Sequence, residues 1–452
     1  MPPSLETDRS LNSPVAPISL AEAWRFWLKL GLISFGGPAG QIAIMHSELV
    51  ERRRWLSERR FLHALNYCML LPGPEAQQLA TYIGWLMHRS WGGLIAGGLF
   101  VLPSLLLLIG LSWAYLQFGQ LPWVAGVFHG IKPAVTAIVL HAGWRIGGRV
   151  LRRPMQWWLA GLAFVAIAAW QLPFPLIVLL AAAAGYLAER WRPGTFSVPP
   201  SATKPDAPHP KAWLDDDSPP PVHTRYRPRR TAVLLLLGAL LWALPMALLC
   251  LREGWQGTLP QMGWFFSKAA LLTFGGAYAV LPYVFQGAVG HYGWLSAGQM
   301  MDGLALGETT PGPLIMVVAF VGFVGGHAQP TLAGGSPFWA GALAACVVTW
   351  FTFLPSFLFI LIGGPLVESG QRQLALAAPL AGIGAAVVGV ILNLALFFGL
   401  HTVWPQGWRG EPDLVAMALC AATLLALFRF KVGVIPVILA CALAGGLLQV
   451  LS

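Results

Sequence analysis

Ser34-Phe35-Gly36-Gly37-Pro38, Trp55-Leu56-Ser57 and Leu71-Pro72-Gly73-Pro74 return as Thr273-Phe274-Gly275-Gly276-Ala277, Trp294-Leu295-Ser296 and Thr310-Pro311-Gly312-Pro313, each displaced by 239 positions. Across the ungapped window Arg25 to Pro74 against Trp264 to Pro313, 14 of 50 positions are identical, mostly Gly, Pro, Trp and Phe. Shared backbone breaks, more than shared apolarity, define a repeat.

The solvent around that repeat follows from composition. Of 452 residues, 56% are hydrophobic and 10% charged, and mean hydropathy is +0.65. Several apolar runs suffice to cross a hydrocarbon layer of roughly 30 Å. They are interrupted by Gly and Pro but almost never by charge, which reads as an all-α integral membrane protein rather than a barrel of short alternating strands. The net charge of +10 sits in short loops between apolar runs. It is a topology signal, not a nucleic-acid footprint. Cys68, Cys250, Cys346, Cys420 and Cys441 are scattered singly, and the histidines show no paired metal-ligand spacing, so no metal or cofactor is expected.

Apolar elements fall at about 17–48, 61–88, 92–118, 122–145, 156–171 and 173–190, and again at 261–292, 297–325, 338–364, 375–400, 412–429 and 431–451. Before the first lies a polar tail, 1–16, without a cleavable leader. Between the halves, residues 191–230 hold ten prolines and seven Lys or Arg, the composition of a flexible cytoplasmic linker. One strong span, Thr231 to Leu251, has no counterpart in the first half. The expected domains are therefore 17–190, the unpaired helix 231–253, and 254–452, about 13 hydrophobic elements in all. An odd crossing between the halves makes the second repeat enter from the opposite face, so the repeats should be inverted.

Basic residues agree with that topology: Arg145, Arg149, Arg152 and Arg153, the linker cluster, and Arg429 with Lys431 fall on one side, the cytoplasm. If the first two elements each crossed fully, Arg52 to Arg54 with Arg59 and Arg60 would lie outside; re-entrant hairpins would keep them inside. Pro72 and Pro74 remove two donors while Gly73 relaxes steric limits, which allows such a hairpin. Broken but complete crossings remain the alternative. Non-helical backbone at membrane depth is tolerated only where protein buries it or where it lines a polar cavity, and half-helix starts offer unpaired N–H groups to an anion.

The breaks therefore mark the expected site: Gly36, Gly37, Pro72, Gly73 and Pro74 in the first half, Gly275, Gly276, Pro311, Gly312 and Pro313 in the second. Lys29 and Lys268, equivalent in the repeat, form a symmetric pair of cations that could neutralise a dianion, against the alternative of snorkelling to headgroups. Ser34 and Thr273 could add hydroxyls and Gln77 an amide. Lys132, whose counterpart at an offset of 252 is Gly384, is a second candidate anion contact. Pro103-Ser104 and Pro355-Ser356 share that offset, which implies an insertion of 13 residues near His327 to Trp339. Glu75, Asp302 and Glu308 are carboxyls at membrane depth and candidate ion-coupling groups.

Together, Ser34-Phe-Gly-Gly-Pro38, Leu71-Pro-Gly-Pro-Glu-Ala-Gln-Gln78, their second-half counterparts and the two Pro-Ser pairs resemble the chromate ion transporter family in its long, two-domain form. The similarity runs from about residue 20 to 450. It implies an inner-membrane secondary transporter that exports chromate and gives resistance to it, with no cofactor. Sulfate, equal in charge and shape, is the alternative cargo; an anion channel or a membrane chromate reductase is the alternative class. Partners expected are the oxyanion and the lipid bilayer, with monomer and homodimer both open. Ala277 in place of the first half's Pro38, and Met316 in place of Gln77, predict that the halves are unequal at the site.

Overall fold

The computed structural model describes residues 18–35, 37–192, 212–216, 221–329, 336–368, 377–405, 407 and 410–451. Gly36, the tail 1–16, most of the stretch 191–230 and much of the expected insertion lie outside these. Among the described residues the regular structure is helical, with a single isolated bridge, Leu56 to Leu214.

The first half runs α1 (Leu20–Ile33), α2 (Gly37–His46) continued by a π turn at Ser47–Arg52, α3 (Glu58–Leu70), α4 (Glu75–Phe118), α5 (Pro122–Val150), α6 (Pro154–Trp170) and α7 (Phe174–Trp191). After α8 (Pro228–Glu253) come α9 (Thr258–Leu272), α10 (Ala277–Phe285) with a π turn at Gln286–His291, and α11 (Ala297–Thr309). A 3-10 turn, Leu314–Met316, then leads to α12 (Val317–Ala328), α13 (Pro337–Glu368), α14 (Ala377–Val403), α15 (Leu414–Phe428) and α16 (Val434–Leu451). The ends of α1, α2, both π turns and α3 recur in α9 to α11 at the displacement of 239 found in the sequence. Ser57 and Ser296 cap α3 and α11 alike, each hydroxyl accepting from the N–H three residues on.

The segments read as single apolar elements at 17–48 and 61–88 are each broken into two short helices. With 14 and 10 residues, α1 and α2 extend ~21 and ~15 Å, too short to cross. Their outer ends come back together: Arg53 pairs with Glu22 at 3.9 Å, and the Phe26 and Trp55 rings lie 4.9 Å apart. Helix α4 also folds on itself. His88 and Arg89 are non-helical, Arg89 at φ 59°, and Gly84 packs on Gly92 and Ala96 of the returning arm. His88 Nε2 reaches the Ile18 carbonyl at 2.9 Å. In the second half α12 and α13 make the corresponding hairpin, Gly322 and Gly326 seated against Ala344, and Thr258 Oγ1 donates to Gln329 Oε1. Small residues let these backbones touch.

Among the described residues, six helices are long and apolar enough to span a membrane: α4, α5, α7, α8, α13 and α14. Helix α8 joins the halves, Arg230 donating to Ser90 Oγ at one end while Glu253 accepts from Leu259 N at the other. Its 26 residues separate those ends by ~39 Å. The long helix of each half enters the other half's hairpins: Tyr67 donates to the Phe359 carbonyl and Tyr82 to Glu368, while Tyr115 donates to Asp302.

The linker is not uniformly free, because Trp213 N and Leu214 N donate to the carbonyls of Arg54 and Trp55, and His223 Nε2 donates to the Trp85 carbonyl. Trp213 and Leu214 bring enough apolar surface to dock, which the proline-rich average conceals.

Candidate functional site

The breaks meet in the buried interior, and they meet crosswise. Pro72 and Pro74 have no N–H, so Gly73 carries the only amide donor in its triplet. It donates across the molecule to the Thr273 carbonyl at 2.6 Å, and Gly312 donates to the Ser34 carbonyl at 2.8 Å. The 239-residue displacement exchanges these two bonds. Ser34 (φ −80°, ψ 81°) and Thr273 (φ −79°, ψ 83°) end their helices in the same conformation. Gly73 at φ 130° and Gly312 at φ 107° hold backbone that side chains rarely adopt. A methyl at Gly73 would strike Ser356 Oγ, and one at Gly312 would strike Ser104. Each Pro-Ser pair thus lies against the other half's Pro-Gly-Pro.

Helix starts gather at this crossing. Gly276, ahead of α10, lies close enough that a methyl there would be 4.0 Å from both Glu75 Oε1 and Pro38 Cγ, at the starts of α4 and α2. Such starts carry unpaired N–H groups and a positive dipole end. The hydroxyls of Ser34, Ser104 and Ser356 are buried there without a hydrogen-bond partner in the described protein, as are Gln41 Oε1 and Gln77 Oε1. Gln41 Nε2 bonds the Gly312 carbonyl at 2.5 Å. Buried polar atoms are normally paired, so this group is equipped for a polar ligand.

A cavity of about 650 Å³ opens beside it, bounded by Gly37 at the start of α2, Tyr278, Glu308, His141, Arg145 and Lys431. Two permanent cations thus face one half-helix start. Glu308, only 7% exposed, accepts a hydrogen bond from the Tyr278 hydroxyl. Nearer the far end of α5, Asp302 (3% exposed) pairs with Lys132 at 3.8 Å and accepts from Tyr115 at 2.8 Å.

The family model for chromate transporters matches residues 21–186 and 260–446, one copy on each half. The chain belongs to the chromate transporter family. It is 33% identical to a chromate transport protein of Pseudomonas aeruginosa over 98% of this chain and 96% of that one. It is 29% identical to a chromate transport protein of Cupriavidus metallidurans, over 95% and 93% of the two chains. A probable chromate transport protein of Synechococcus elongatus is 28% identical, over 85% and 86%. No solved structure matches. Family and helices together make this a multi-pass membrane protein.

Within this chromate-transporter frame, the structure gathers some of the residues expected at the site and separates others. Gly37, Pro72 to Pro74, Ser34, Thr273, Gly275, Gly276 and Pro311 to Pro313 form or border the crossing; Gly36 is outside the described residues. Thr273 Oγ1, however, donates to the Ala269 carbonyl, the familiar back-bond within a helix. Gln77 Nε2 bonds Thr81 and Gln78 Nε2 the Pro72 carbonyl. The lysine pair does not converge: Lys29 is exposed, and Lys268 lies over the Trp264 ring at 5.5 Å. Lys132 is occupied by Asp302.

Several residues of the candidate site are not singled out by the sequence. Arg145 and Lys431 had served only as topology markers, Ser104 and Ser356 only as register marks, and Gln41 had no role. The Pro-Ser pairs held the missing signal: a second polar motif recurring at fixed offset inside two apolar spans.

Proposed function

We propose that this protein exports chromate across the inner membrane as a secondary transporter of two inverted repeats, loading the dianion through the Arg145 and Lys431 cavity and passing it to the crossed breaks. The supporting observation is the reciprocal pair of hydrogen bonds, Gly73 to Thr273 and Gly312 to Ser34, beside a cavity with two cations. Discontinuous helices from opposed repeats, with half-helix starts aimed at an anionic cargo, suit alternating access about one midplane site. Positive charge at Arg149, Arg152, Arg153 and the linker supports a cytoplasmic position for that cavity, by the positive-inside tendency. An inside-negative potential of ~100 mV then favours outward movement of two negative charges by ~4.6 kcal/mol.

Charge balance gives Glu308 a role. Arg145 and Lys431 offset a dianion; an ionised Glu308 in the same cavity leaves an uncompensated negative charge, which is costly at that depth. Protonation of Glu308 accompanies loading in this account. Sealed inside-out vesicles test the function: uptake of chromate should saturate, follow an imposed potential and leave chromium hexavalent. Uptake that never saturates, or loss of hexavalent chromium without accumulation, would replace the carrier with a channel or a reductase.

A further inference from the structure

A second cavity, about 760 Å³, is lined by Gln171, Gln286, His291, Asn393 and Phe397 among others. It lies toward the end of α5's counterpart, α14, near the turn between α6 and α7. Its register is not accidental. Along α14, Asn393, Leu394, Leu396, Phe397 and Leu400 stand 252 positions after His141, Ala142, Trp144, Arg145 and Gly148 of the first cavity. Gln171 stands 260 positions before Lys431, and both take the left-handed conformation at φ 51° and 53°. The two cavities therefore share two walls related by the repeat, α5 with the α15–α16 turn in the first and α14 with the α6–α7 turn in the second, so that each draws on both halves. Their chemistry differs at the three ionisable positions that these two offsets align, while Tyr278 and Glu308 of the first cavity have no counterpart in the second. His141, Arg145 and Lys431 become Asn393, Phe397 and Gln171. The polar groups left are amides and His291, and Gln286 Oε1 already accepts from Phe174 N at 3.3 Å.

We propose that the second cavity is the opposite, low-affinity mouth for the same tetrahedral dianion, which it touches through neutral amides. This rests on the oxyanion-carrier reading above. Removing two permanent cations weakens the hold on an anion most where water is scarce. The thermodynamic driving force is unaffected, since the potential and the gradients set it. What changes is the concentration at which each mouth fills: the cationic mouth captures a scarce ion, and the neutral mouth lets it go without being blocked by ion outside.

Proteoliposomes with the protein in a known orientation test this, with radiolabelled chromate supplied to one face at a time. Half-saturation at the Arg145 face should come at a chromate concentration at least ~10-fold lower than at the other face, the ratio worth ~1.4 kcal/mol. Restoring the charges with Gln171→Lys, Asn393→His and Phe397→Arg together should bring the two values within ~3-fold, on the same scale. Should that triple variant not insert, Lys431→Gln should raise the Arg145-face value toward the other. Equal values on both faces of the unaltered protein, or an inserted, active triple variant whose external value does not move, would overturn the proposal. Absence of saturable chromate flux from either face would instead overturn the carrier reading itself.

Discussion

The two halves share a backbone and divide the charges. Helix ends, π turns, serine caps and both crossed hydrogen bonds recur at one displacement, whereas Arg145 faces Phe397 in the register, Gln41 faces Val280 and Glu308 faces Met69. The duplicated part is what any alternating-access device needs, namely two equivalent sets of broken helices that can exchange roles. In the proposed mechanism the unduplicated part sets which ion is held, and at which mouth. Substitutions in the shared backbone should therefore act alike in both halves, and substitutions of the charges should not.

The largest effects are expected at the glycines. Gly73→Ala and Gly312→Ala each force a methyl into a left-handed backbone and into Ser356 or Ser104, strain on the order of 1–3 kcal/mol before the clash. Chromate uptake should fall more than ~10-fold in both, with Ser356→Gly and Ser104→Gly respectively restoring part of it by opening space. A large loss in one half only would break the equivalence of the scaffold.

Next come the buried ionic groups, which have no twins. Lys132→Ala leaves Asp302 buried beside only Tyr115 and should destabilise the protein by up to ~3 kcal/mol, read as a lower melting temperature in detergent; Asp302→Asn in the same chain should recover most of it. Glu308→Gln addresses coupling. In the unaltered protein, loading should improve as the pH of the Arg145 face falls, because protonation removes the surplus negative charge among Arg145, Lys431, His141 and Tyr278. The Gln variant should transport at the low-pH level throughout, with any residual slope left to His141. An unchanged pH profile would remove Glu308 from the mechanism.

The smallest effects are expected where symmetry in the sequence was most suggestive. Lys29→Ala and Lys268→Ala should each change chromate uptake by less than ~2-fold, since neither lysine lines the cavity: Lys29 is exposed, and the half-buried Lys268 lies over Trp264 instead.

That contrast shows what the sequence made legible. Gly and Pro at Gly73, Gly276 and Gly312 constrain the chain locally, so their recurrence revealed the breaks, the repeat and the short half-span arms. Partner choice is not local. Nothing in the order of residues says that Gly73 will bond Thr273 rather than its own half's Ser34, or that Ser104 will rest against Gly312. Arg145 and Lys431 were equally hidden, because a cation near a helix end reads the same whether it faces lipid headgroups or a cavity. Trp213 and Leu214 were lost in the average of a polar linker.

The claim that one cationic mouth feeds one crossed site is tested most directly at Arg145. Initial rates of chromate uptake into sealed inside-out vesicles, at fixed potential and with equal amounts of inserted protein, should give Arg145→Gln a half-saturating concentration at least ~10-fold higher than the unaltered protein, a difference of ~1.4 kcal/mol. Phe397→Gln, its counterpart in the other half, should leave that value within ~2-fold. An Arg145→Gln protein that fills at the same chromate concentration as the unaltered one would contradict the account.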